Sequence, residues 1–421
     1  MLALFVAVIG VAPTNPLPFV TTVNLYPDDL VFAVITAATA LRFVAAPHRA
    51  IRQAPVLLFF GLVALALARG VMAYSLKAAG VQARPYFYFA SAALYCSSFG
   101  GGGQRLKQAS RLWAYACAVL IGIAVLGWVR LALGLSWATP LFPTAVLDDR
   151  IRFRVLDHAP ALFLCQGAAL IAVLRPFRPR YLYIPAVVLL AFVTILLQHR
   201  TVWVVGLAML GAFVLRHSGA SIRRGIPATR VVLLIAGVLL LSAGVVWLIH
   251  NDTDIVSRTL RSSVSETQHS NNTFSWRVEG WRALLQDWAD QSTLEGVVLG
   301  WSFGPVLRRY VDGVWDASTS HNFYVEMLLR LGVSGFIALL AMYMIPFARL
   351  RDRQDPQTRA LMLLWISQIV YYMTYPPTFD QGIVLGLLIS LSGRRIGSPI
   401  SAVLRIVPRP VHAVGHYRAS S

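Results

Sequence analysis

Residues 54–74 read Ala-Pro-Val-Leu-Leu-Phe-Phe-Gly-Leu-Val-Ala-Leu-Ala-Leu-Ala-Arg-Gly-Val-Met-Ala-Tyr, 21 residues with a single charge, Arg69. A helix needs about 20 mostly apolar residues to cross the hydrocarbon core of a bilayer. The same reading carried outward gives eleven more such runs, at 2–20, 28–47, 85–100, 112–134, 159–174, 181–198, 201–216, 231–249, 324–348, 358–376 and 381–393. The first has no basic leader and no small-residue cleavage site, so it reads as a retained span and not as a signal peptide. Across all 421 residues, 57% are apolar or aromatic and only 13% are charged. With Gly counted and Tyr left out the apolar share is about 61%, against roughly 45–50% for soluble domains. That excludes an ordinary soluble enzyme, a disordered chain and a nucleic-acid-binding module. Cys96, Cys117 and Cys165 lie inside apolar runs, without disulfide-framework or metal-ligand spacing. The expected fold is all-α and polytopic, with about twelve transmembrane helices.

The net charge of +19 reports topology. Alternate connections and the C-terminal tail hold 22 of the 37 Lys and Arg residues but only two acids, Asp352 and Asp355. The opposite face holds the remaining 15 bases and 16 acids. By the positive-inside rule the basic face is cytoplasmic, and both termini lie on that side. Anionic lipid headgroups are the partners such a face attracts. The expected organisation is helices one to nine over 1–249, one large outer loop over 250–323, helices ten to twelve over 324–393, and a basic tail over 394–421.

Loops longer than about 15 residues are uncommon unless functional or disordered. The outer loop holds five of the chain's eleven Trp residues, which argues against disorder. Within it Trp281, Leu284, Leu285 and Trp288 fall at i, i+3, i+4 and i+7, the stripe of an amphipathic helix lying at the membrane surface. Arg277, four residues before Trp281, joins that face, where it either snorkels to lipid phosphates or lines a site. Arg282 lies roughly 140° round the helix from Arg277 at 3.6 residues per turn.

The loop ends in Ser320-His321-Asn322-Phe323-Tyr324-Val325-Glu326. Ser320 is the expected N-cap of the tenth span. His321 then falls in the first helical turn, where the macrodipole keeps an imidazole neutral and able to accept a proton. A locally hydrogen-bonded His is the simpler alternative. Glu326 and Arg330 stand at i, i+4, the spacing of a helix ion pair. A third element, Gln198-His199-Arg200-Thr201, forms a minimal outer connection that pins Arg200 at the interface, either as a helix-end anchor or as a ligand-holding group.

These elements together resemble the superfamily of O-antigen ligases and O-antigen or exopolysaccharide polymerases. His321-Asn322-x-Tyr324-Val325-x-x-Leu328-x-x-x-Gly332-x-x-Gly335 is similar to its HNxYLxxLxxxGxxG segment. Arg277-x-x-x-Trp281 is similar to its RxxxW helix, and Arg200 to an Arg at the start of a mid-chain helix. The family's PxxGxGxG run is replaced here by Glu295-Gly-Val-Val-Leu-Gly-Trp-Ser-Phe-Gly304, without the Pro and one Gly. The resemblance implies a GT-C-like membrane glycosyltransferase of the bacterial inner membrane, with one large periplasmic loop containing amphipathic helices. The donor would be an oligosaccharide on undecaprenyl diphosphate, and the acceptor a lipid-linked repeat unit or lipid A–core. Arg200 and Arg277 would hold the diphosphate, with Arg282 a secondary candidate, and His321 would deprotonate the acceptor hydroxyl for an inverting displacement. Neither metal nor cofactor is implied. The chain has 35 Arg and two Lys, so position, not residue type, singles these arginines out.

Residues 250–320 carry six Arg against nine acids. Lipid A–core bears phosphates and carboxylates, for which a basic vestibule would be expected. The near-neutral outer face therefore tilts the expectation to a repeat-unit polymerase, with a ligase as the alternative. A flippase for lipid-linked glycans is the rival of another class. It would call for inverted repeats and midplane charges, whereas most charges here sit at span ends.

Overall fold

In hydrocarbon a chain satisfies its backbone N–H and C=O groups only within itself. The computed structural model is accordingly helical at every expected span that falls on its described residues. Those are 27–47, 53–99, 102–133, 135, 155–177, 180–222, 273–304, 307–311, 314–317 and 320–393. The expected spans at 2–20 and 231–249, the first part of the outer loop and the basic tail lie outside them. We number the helices α1 (Pro27–Ala45), α2 (Ala54–Ala73), α3 (Leu76–Ser97), α4 (Gly102–Ala132), α5 (His158–Leu174), α6 (Tyr183–Leu196), α7 (Arg200–Ile222), α8 (Thr273–Gln291), α9 (Leu294–Leu299), α10 (Phe323–Leu350), α11 (Pro356–Tyr371) and α12 (Phe379–Ser392).

Among the described residues three stretches, Ala54–Ala73, Arg105–Arg130 and Phe323–Leu350, are long and apolar enough to cross a membrane, and four helices are shorter and apolar. Large apolar side chains such as Met72, Ile184 and Leu215 are exposed on these helices, as a lipid-facing surface requires. Two helix starts move furthest from expectation. Helix α3 begins nine residues early because Ser75 caps it, accepting from Ala78 N–H. Helix α4 begins ten residues early, so Arg105, Lys107 and Arg111 lie on its first turns and not in a loop. The described residues are helical as expected, apart from one short element. Arg308–Val311 and Val314–Ala317 pair antiparallel as a short hairpin in the outer loop, β1 and β2, with Arg308 opposite Ala317.

Helices α3 and α12 pack backbone to backbone. A Cβ on Gly382 would strike the Phe89 carbonyl, and one on Gly386 the Ala93 carbonyl. This is the small-xxx-small contact by which membrane helices approach closely. On the basic face Asp355 caps α11, accepting from the Thr358 N–H at 2.9 Å and its hydroxyl at 2.7 Å. Burial pushes this carboxyl up, but the Thr358 hydrogen bonds outweigh it and hold it below the ordinary carboxylate range.

The stretch replacing the PxxGxGxG run locks the outer loop to the bundle. Helix α10 breaks at Gly332 (φ 63°), and Gly300 (φ 75°) docks into the break. Beside it Trp301 N–H donates to the Leu329 carbonyl at 2.7 Å. Arg69 holds the segment from α2, donating to the carbonyls of Leu299 and Gly300 and pairing with Glu295 at 2.9 Å. Gly332→Ala should therefore be costly. The new Cβ would sit 2.5 Å from the Val298 carbonyl carbon and oxygen, in a backbone conformation that L residues rarely adopt. A loss of about 2 kcal/mol or more is expected, read as a lower melting temperature in detergent. Gly61→Ala on α2, with nothing within 4 Å of the added carbon, is the neutral control.

Candidate active site

Helix α11 ends at Tyr371, not at the expected 376, because Pro376 and Pro377 cannot continue it and the residue before a proline avoids the helical region. The chain turns instead, with Thr374 and Tyr375 N–H groups both donating to the Tyr371 carbonyl, until Thr378 starts α12. Asp380, in the first turn of α12, is buried and accepts from the Thr378 hydroxyl and the Gln381 side-chain amide.

All three sequence elements attach to this turn. From α7, Thr201 beside Arg200 accepts at its hydroxyl from Thr374, at 3.1 Å. From α8, the Arg277 guanidinium carbon stands 5.9 Å from the centroid of the Tyr375 ring, within cation–π range. From α10, Phe323 N–H donates to the Tyr372 carbonyl at 2.9 Å, and the Tyr324 hydroxyl to the Ile369 carbonyl at 2.9 Å. Arg200 is the first residue of α7, where the short Leu197–His199 connection puts it. His199 is buried, with Nε2 2.9 Å from the Leu156 carbonyl.

A second link joins the RxxxW helix to the His-Asn segment. Trp281 Nε1–H donates to the Ser320 carbonyl at 2.6 Å, one residue before His321. Arg277 and Trp281 share a face of α8, so one helix reaches both the turn and the His-bearing segment. The apolar stripe of α8 packs on protein: Leu284 forms a small core with Leu307 and Leu329, flanked by Trp288, Trp301 and Val325. The Arg277 Nε is buried and has no hydrogen-bond partner among the described residues. A buried guanidinium N–H in that state is a donor waiting for an acceptor. Arg282 is exposed, and no described contact ties it to the turn.

The cap of α10 differs from expectation. Asn322, not Ser320, is the N-cap, its Oδ1 accepting from Tyr324 N–H at 3.0 Å and Val325 N–H at 3.2 Å. His321 therefore lies before the helix and not in its first turn, so the macrodipole argument for a neutral ring loses its footing. The residue is instead held in the left-handed region, at φ 48°. Such a conformation costs about 1–3 kcal/mol and persists only where the surroundings over-determine it. Here they do: the Ser320 hydroxyl donates to the Asn322 carbonyl at 2.9 Å, and Trp281 and Tyr372 fix either side. Glu326 and Arg330 each reach beyond the helix, Glu326 accepting from the Ser320 hydroxyl at 3.2 Å and Arg330 donating to the Ser302 carbonyl at 2.9 Å.

Sequence reasoning missed His158, Tyr371 and Tyr375. His158 opens α5 behind an Asp157 cap, a signal that could have marked the helix end, but nothing in the sequence ties it to a turn more than 200 residues later. Among the described residues no group of three or more His, Cys, Asp and Glu side chains could hold a metal ion.

Residues 185–340 of the chain match the family model described as O-antigen ligase. The match covers Arg200, Arg277, Arg282 and His321, and it supports the O-antigen ligase and polymerase superfamily. No curated protein sequence matches the chain.

Proposed function

We propose, on the premise that residues 185–340 form an O-antigen ligase domain, that the protein is an inverting, metal-independent glycosyltransferase of cell-surface polysaccharide assembly. It works at the periplasmic face of the inner membrane, with both termini in the cytoplasm. The observation that carries this reading is the attachment of α7, α8 and α10 to the one turn Tyr371–Tyr375.

In the reaction the anomeric carbon of a glycan leaves the oxygen of undecaprenyl diphosphate and bonds to an acceptor hydroxyl oxygen from the opposite face. His321 takes the hydroxyl proton. The bonding electrons leave with the diphosphate, whose growing charge Arg277 and Arg200 stabilise. Guanidinium suits this role because it stays charged, binds phosphate through two parallel N–H groups and is weakly hydrated. In a partly dry site those contacts strengthen as charge develops.

The acceptor follows from the loop charge. Three more acids than bases over 250–320 disfavour an anionic core oligosaccharide and favour a second lipid-linked repeat unit, hence a polymerase. The description of the matched family as O-antigen ligase favours the second reading, a ligase acting on lipid A–core. Reconstituted protein supplied with lipid-linked repeat units and lipid A–core in one assay should lengthen the repeat-unit chains. Sugar appearing on lipid A–core instead establishes the ligase. Movement of donor between leaflets without transfer defeats both and favours a flippase.

A further inference from the structure

His158 lies outside every motif described above and outside the family match, yet its ring is tied into the same turn. Its Nδ1 stands 2.6 Å from the Tyr371 hydroxyl. Its ring stacks on that of Tyr375, centroids 3.8 Å apart and planes 26° from parallel. The His199 ring stands edge-on at 6.4 Å. The Asp157 carboxylate accepts from the His158 backbone N–H at 2.7 Å and lies 3.7 Å from Nε2. The imidazole therefore grips the turn at both ends: Tyr371 by a hydrogen bond and Tyr375 by its face. Tyr375 is also the ring that the Arg277 guanidinium approaches.

We propose that His158 is a positioning residue of the diphosphate site, holding Tyr375, and through it Arg277, in the pose that receives the lipid-linked diphosphate. The inference rests on the transferase reading above for the identity of the ligand, but not for the geometry. A long Arg side chain has several rotors to freeze, and an aromatic platform already held in place reduces that cost before the ligand arrives. Because Arg277 meets the diphosphate in the ground state and more strongly as charge develops, loosening the platform should weaken donor binding and also slow the chemical step.

The test uses full-length protein in nanodiscs, with undecaprenyl diphosphate as the binding probe and transfer kinetics as a second readout. His158→Ala removes stack and hydrogen bond together and should weaken probe binding and raise the donor KM about 10-fold, with a fall in kcat beside it. His158→Phe keeps the stack and loses the hydrogen bond, so its effect should be smaller, about 3- to 5-fold. Tyr371→Phe removes the same bond from the other side; it should match His158→Phe and add nothing to it in the double variant. If His158→Ala does not fold, the Phe pair and its non-additivity decide the matter alone. Folded variants with unchanged probe affinity and KM overturn the proposal, as does a fall in kcat and melting temperature with KM unmoved. A wild-type protein that binds the probe but transfers no sugar sinks the transferase reading and leaves the binding comparison to judge His158. One that does not bind it overturns both.

Discussion

His321→Asn should lower transfer by roughly 10²–10⁴-fold, the range general-base catalysis contributes, while the donor KM stays within a few-fold of wild type. Asn is the informative replacement. It tolerates the left-handed backbone that His321 adopts at φ 48°, so the loop keeps its shape while the proton acceptor is lost. A general base works only when unprotonated, so the wild-type rate should fall toward acid pH as the imidazole charges. That limb should be absent from the residual activity of the variant. His321→Gly separates strain from chemistry: it should be equally inactive yet melt slightly higher, since glycine occupies this region without the steric cost. Transfer by His321→Asn within 3-fold of wild type would remove His321 from the reaction.

The helices were legible because membrane spans are written in composition alone. At Ala54–Ala73 and Phe323–Leu350 the apolar runs leave the backbone no other solution. The helix ends were less legible, because they depend on single caps: Ser75 starts α3 early, and Asn322 takes the cap expected of Ser320. The hairpin Arg308–Ala317 was invisible because four-residue strands with mixed residues carry no period of their own. In the candidate site, Arg200, Arg277 and His321 could be named from position and motif. What joins them could not. Tyr371, Tyr372, Thr374 and Tyr375 take contacts from α5, α7, α8 and α10, pairings that sequence spacing does not encode. The replaced glycine run shows the reverse case: its Pro is absent, yet Gly300 meets Gly332 backbone to backbone, so close approach and positive φ are the features that survived.

The arginines should separate by geometry and not by charge. Arg277→Ala should lower kcat/KM by about 10²–10³-fold, the usual cost of removing one donor aimed at developing charge. Arg277→Lys keeps the charge but loses the planar two-pronged donor and the fit over the Tyr375 ring. It should therefore recover only part of the loss, remaining about 10-fold or more below wild type, with transfer from lipid-linked donor as the measurement. Arg282→Ala, exposed on α8 and about 140° round it from Arg277, should stay within about 3-fold, because surface charges contribute little in water and salt. The two readings of Arg277 then part on ionic strength. A residue that only snorkels to lipid phosphates would be replaced well by Lys, and the small remaining defect would shrink in salt. A buried Nε–H aimed at a diphosphate would not be replaced by Lys, and its loss would persist at 0.5 M salt, where the Debye length is only about 4 Å. Full rescue by Lys, or an Arg282→Ala defect as large as that of Arg277→Ala, would mean that the diphosphate lies elsewhere on α8.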